Sequence, residues 1–119
     1  MKQLKNSKKS EILLHEAETD FNIKNFNKCA SASYFSVRKT LEQLLIQMKI
    51  LIPKRDDKLA NVLKHMGYEN EAKLLLRLYE LRKKADYDDK EISHDEAKEA
   101  LETAKYLIKL IKTLAKKYN

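Results

Sequence analysis

A single glycine and a single proline in 119 residues leave this chain few places to turn tightly. Hairpins draw on glycine for positive φ and on proline for fixed corners, and a sheet needs many such turns. Lys, Glu, Leu and Ala are abundant and charged residues reach 36%. The chain is predicted to be all-α. Its length suits one domain, residues 1–119, built on one core. The basic opening, residues 1–9, reads as a flexible tail.

Apolar spacing divides the chain into helices. The first is expected from a Ser10 cap and carries Ile12, Leu13, Leu14, Ala17 and Phe21, with a break at Asn22 to Asn25. The second places Phe26, Ala30, Tyr34, Val37, Leu41, Leu44, Leu45 and Met48 on one face. It ends before Pro53, because the residue before a proline leaves the helical region. Asp56 or Asp57 is expected to cap a short third helix that closes at Gly67. The fourth runs from about Glu69 to Ala85 with two apolar stripes, which points to a central helix that is also shared with a partner chain. The fifth opens on a capping box, Ser93 with Glu96, and orders its acids early and its bases late, as the helix dipole favours. The architecture expected is an antiparallel bundle of four long helices and one short one.

The net charge of +7 favours polyanions, with RNA or an acidic protein first among them. The excess is spread along the chain, so a purely solubilising role fits it equally. No signal-peptide pattern and no run of about 20 apolar residues occurs, and Cys29 has no second cysteine to pair with. The expectation is a soluble, cytoplasmic protein. One glycine excludes a phosphate-cradling loop. No CxxC and no His pair at helical spacing is present, so neither metal nor cofactor is expected. Cys29 lies among small residues on a core-facing helix and reads as a structural thiol.

The stretch LRKKADYDDKEISHDE is the candidate site. Arg82 lies in the last turns of the fourth helix and Tyr87 just past its end. A guanidinium and a phenol at one helix end can grip a phosphate, the first as a bidentate donor, the second as donor or stacking surface. Lys83 and Lys84 add positive charge; Asp86, Asp88 and Asp89 subtract it. The competing reading is structural: Arg82 pairs with Glu42 or Asp86 between helices, and Tyr87 closes the core.

Two segments resemble the HEPN superfamily. NFNKCASASYFSVRKTLEQLL is similar to its second helix, with paired aromatics Tyr34 and Phe35 and a Leu-Leu ending. LYELRKKADYDD, followed by an alanine-rich helix, resembles the Arg…Ala-Asp-Tyr segment of one prokaryotic branch. The likeness covers roughly residues 10 to 115. It implies a helical bundle that dimerises through its motif helices. It also implies a metal-independent ribonuclease or a toxin paired with a minimal nucleotidyltransferase, whose motif is an Arg followed, after four to six residues, by a His.

Here Arg82 matches the Arg, but the His position holds Tyr87, or Asp88 or Asp89 at the longer spacings. A general base near neutrality suits a His, while an ordinary Tyr titrates near pH 10. Whether the chain is an enzyme stays open; if active, it is a metal-independent endoribonuclease acting through Arg82 and Tyr87. The resemblance assigns phosphate or nucleotide binding to Arg82, Tyr87, Asp86, Lys83, Arg38 and Tyr34, with Glu42 and Tyr79 in support. Asp86 and Glu42 would orient Arg82. His94 is the nearest downstream histidine and would reach the cleft only by swinging in. In some relatives the partner attaches nucleotides to a tyrosine beside the motif, and Tyr87 is the candidate. The function expected is that of an RNA- or nucleotide-binding homodimer, the toxin-type half of such a pair. The alternative is a non-catalytic scaffold that docks a partner through the fourth helix.

Overall fold

Apolar residues at steps of three and four close into five α-helices in the computed structural model, which describes residues 2–87 and 91–118, with side chains from residue 8 onward. They are α1 (Lys2–Asn22), α2 (Phe26–Gln47), α3 (Asp56–His65), α4 (Glu69–Tyr87) and α5 (His94–Ala115), with a closing 3₁₀ turn, Lys116–Tyr118. Four are long and one is short, as the spacing predicts. Among the described residues there is no strand. No helix is long and apolar enough to cross a membrane.

The central helix is α2, not α4. It packs against α1, α4 and α5, while α3 lies on α4. Its inward face carries Ala30, Tyr34, Val37, Leu41, Leu44 and Leu45, all buried. Both apolar stripes of α4 are used within the one chain. Ala72, Leu75, Leu78 and Leu81 are buried, and Leu74, Leu76, Tyr79 and Ala85 pack half-buried against the same core. Contact with α2, α3 and α5 together accounts for the double stripe without a second chain. Cys29 is fully buried, as its surroundings predict, and its Sγ lies 3.8 Å from the Ala97 carbonyl oxygen.

Two expected helix starts are corrected. α1 begins at Lys2, and Ser10 sits inside it, buried. Its hydroxyl donates to Ser36 O at 2.9 Å and shares a hydrogen bond with Thr40 Oγ1, so it ties α1 to α2 instead of capping. At α3 the capping position belongs to Arg55, without a side-chain cap. Asp57 Oδ1 accepts from the Lys58 N–H at 2.9 Å, while Asp56 turns its carboxylate to α2.

Three helix ends share one backbone device. The N–H groups of Asn25, Ile50 and Tyr68 reach back five residues to the carbonyls of Asp20, Leu45 and Leu63 at 2.7, 2.9 and 2.9 Å. This is the Schellman arrangement, which needs a left-handed residue just before the donor. Gly67 supplies it at φ 96°, as predicted, but Lys24 and Lys49 adopt φ 63° and 59°. The α5 capping box forms as expected: Ser93 Oγ accepts from Glu96 N–H at 3.1 Å, and Glu96 Oε1 from Ser93 N–H at 3.0 Å. Lys84 Nζ also donates to both Glu96 oxygens, at 3.0 and 2.9 Å, and so fastens the end of α4 to the start of α5.

Candidate functional site

Helical spacing brings the candidate residues to one corner. Tyr34, Arg38 and Glu42 recur every four residues and form one ridge along α2. Phe35 is one step around from that ridge. On α4, Tyr79, Arg82, Lys83 and Asp86 recur at three and four, and so share a face. The start of α3 lies between the two helices and contributes Asp56.

Arg82 is the centre of the α4 side. Its guanidinium carbon lies 4.9 Å from the centroid of the Phe35 ring and 5.5 Å from that of Tyr87. Two aromatic rings thus hold one planar cation. Its Nε is 3.0 Å from Asp86 Oδ2, yet off the line of a good hydrogen bond, so the contact is ionic. The side chain keeps 18% of its surface open. Tyr87 is 75% exposed, so it does not close the core; it offers a ring to solvent. Lys83 Nζ sits 4.8 Å from the Tyr79 ring centroid, and Tyr79 in turn packs on Tyr34 with centroids 5.6 Å apart.

The α2 side is a separate polar network. Arg38 Nε donates to Glu42 Oε2 at 3.0 Å, and Lys39 Nζ to Glu42 Oε1 at 3.2 Å. Tyr34 Oη and Arg38 Nη1 both donate to Asp56 Oδ1. Glu42 therefore orients Arg38 and not Arg82, which corrects the expected Arg82–Glu42 link. The distance along α2 explains it: Glu42 is two turns beyond Phe35, the residue that Arg82 meets. Tyr34 is buried with its hydroxyl bound to Asp56, so it supports the corner from below and does not line it.

Between the start of α3 and the α4 side lies a groove of about 420 Å³, walled by Arg55, Asp56, Asp57, Tyr79 and Lys83. Burial pushes the Asp56 carboxyl above its ordinary value and Asp57 adds to the effect, while Arg82 and Lys83 pull it down. Arg82 and Lys83 thus share an electrostatic neighbourhood with α3. Arg55 and Asp57 pair in a bidentate contact at 3.1 and 2.7 Å on the exposed rim.

The corner combines Arg82, Asp86, Tyr87, Lys83 and Tyr79, all singled out in the sequence. Arg38 and Glu42 lie behind it. Phe35 and Asp56 are the additions. Phe35 was legible only as one of a pair of aromatics, and Asp56 only as a helix cap. Asp88 and Asp89 lie outside the described residues. His94 does not join the corner: its ring packs on Phe21 and Phe26 at 5.2 and 5.6 Å, and its Nδ1 is 3.0 Å from Asp95. Among the described residues no group of three or more His, Cys, Asp or Glu is placed to hold a metal ion.

Compared with known families, the chain matches the one described as the HEPN domain over residues 6–114. That span runs from within α1 to within α5 and includes every residue of the corner. A comparison with curated proteins gives no match.

Proposed function

Because this chain belongs to the HEPN domain family, we propose that it binds single-stranded RNA or a nucleotide through a phosphate held by Arg82, at a crevice between two copies of the chain. The observation that carries the reading is the contact of the Arg82 guanidinium with both the Phe35 and Tyr87 rings. A guanidinium held against two rings keeps N–H donors that suit two parallel hydrogen bonds to a phosphate. The exposed Tyr87 ring can take a base by stacking, and Lys83 adds a second cation one residue along. Asp86 holds Arg82 in place from its own helix.

Binding is favoured over cleavage. Attack by a ribose hydroxyl needs a base and an acid near neutrality, and the loss of one such group removes about 10²–10⁴-fold in rate. Tyr87 stands where the family motif has a His, and His94 is engaged at the α1–α2 turn. The biological setting proposed is a cytoplasmic toxin–antitoxin or defence pair, with a minimal nucleotidyltransferase as partner.

Fluorescence anisotropy with a labelled oligouridine tests the reading. Arg82→Ala is expected to weaken binding about 10–100-fold, the cost of losing a charged bidentate contact, with the helical fold retained by circular dichroism. Retention equal to wild type would remove the site. A second reading, a scaffold that docks a partner protein, draws support from Leu51, which is 92% exposed beside the exposed Ile50. In that case Arg82→Ala would leave RNA retention untouched, and Leu51→Asp would abolish partner capture.

A further inference from the structure

A fixed carboxylate lowers the positive potential that a phosphate meets beside it, since both anions draw on the field of the same cations. Asp56 is placed to do so. Tyr34 Oη and Arg38 Nη1 both donate to Oδ1. Among the described residues no hydrogen bond reaches Oδ2. The residue also lines the groove whose other walls include Lys83 and Tyr79. The cations that act on its charge include Arg82 and Lys83, the same two assigned above to a ligand phosphate.

Helix-start chemistry does not explain this placement. An acid in the first turn of α3 suits the helix dipole, but Asp57 fills that role and bonds the Lys58 N–H. Asp57 is also matched by the bidentate Arg55 on the rim. Asp56 has no cap to make, and it stands against the cations of α2 and α4.

We infer that Asp56 is a built-in competitor for phosphate, whose carboxylate holds part of the positive field of Arg38, Arg82 and Lys83 and thereby sets how tightly this corner takes RNA. The inference rests on the binding reading proposed above. It requires no opening of the bundle. Leu59, Ala60 and Leu63 keep α3 buried against its neighbours, and the competition is electrostatic at a fixed backbone.

The test measures a fluorescein-labelled oligouridine of about 12 nucleotides by anisotropy across a salt series. In Asp56→Asn the amide oxygen still accepts from Tyr34 and Arg38, while the charge is gone. Binding is expected to tighten about fivefold, the effect of one unit charge near contact distance in water. The salt slope should steepen by up to about 0.7, as one more phosphate contact goes uncancelled. Glu11→Gln makes the same change of charge far away on α1, where Glu11 faces Lys112 at 3.7 Å, and should leave affinity unchanged. Asp56→Ser, which keeps an oxygen at the helix start, is the second variant if the first loses helicity. Folded Asp56 variants that bind no tighter than wild type overturn the inference. So does an equal gain from Glu11→Gln. Arg82→Ala separates the two levels. If it keeps full RNA affinity, the binding reading falls; if it loses RNA while the Asp56 variants gain nothing, only the role of Asp56 falls.

Discussion

Tyr87 and Arg82 are five positions apart, just beyond one helical turn, and the ring of one lies 5.5 Å from the guanidinium of the other. That contact places position 87 beside whatever phosphate Arg82 holds. Tyr87→His sets at that position a group that titrates near neutrality. Cleavage of single-stranded RNA is expected to rise about 10²-fold over wild type, measured by gel with labelled substrate. Activity equal to wild type would mean that position 87 does not face the scissile phosphate. The Arg82–Asp86 pair was readable from its spacing of four. The contacts of Asp56 with Tyr34 and Arg38 were not, because 22 and 18 residues separate them and no local periodicity links such positions. The partner of Glu42 is local, Arg38 at the spacing of four, whereas no local periodicity bears on the expected link to Arg82.

Helix ends show the same division between local and tertiary signals. The Ser93–Glu96 box and Gly67 were legible because the chemistry lies within a few residues. Ser10 was misread, since its hydroxyl answers to a carbonyl on the neighbouring helix. The left-handed lysines were invisible because Lys carries no preference for that conformation. They therefore hold strain: a non-glycine residue there costs roughly 1–2 kcal/mol. Lys24→Gly and Lys49→Gly should each stabilise the fold by about 1 kcal/mol, a rise of a few degrees in Tm by calorimetry. An unchanged or lower Tm would contradict the strain. Glu96 gives the pH counterpart. The Lys84 ammonium and the Ser93 N–H hold its carboxyl below the ordinary value of 4.5. A lowered folded value means that the ionised form is the stabilising one. Its contribution is complete above pH 4.5 and is lost as the pH falls through the lower folded value. Glu96→Gln should thus cost about 1 kcal/mol at neutral pH and nearly nothing in strong acid. A gap between variant and wild type that stays constant with pH would refute this.

Across the whole molecule the same pairing of charges decides what the net +7 can do. Several basic side chains are already matched: Arg77 with Glu99, Lys84 with Glu96, Arg55 with Asp57, Lys105 with Glu18, Lys112 with Glu11. Those pairs offset part of the excess, so the bulk charge, the first functional hint in the sequence, is a weak guide to affinity. The proposed site is a compact corner with Arg82 and Lys83 as its cations, held where α2, α3 and α4 meet because α2 is the helix around which the others pack. RNA bound at such a corner displaces few counterions. Each phosphate neutralised on a single strand contributes about 0.7 to the slope of log affinity against log salt. Two cations predict a slope of roughly −1.4 for each corner engaged, and about twice that if two copies share one strand. Anisotropy titrations at several salt concentrations measure it. A slope of about −5 or steeper would mean that RNA spreads over the general positive surface, and would shift the explanation from Arg82 back to the net charge.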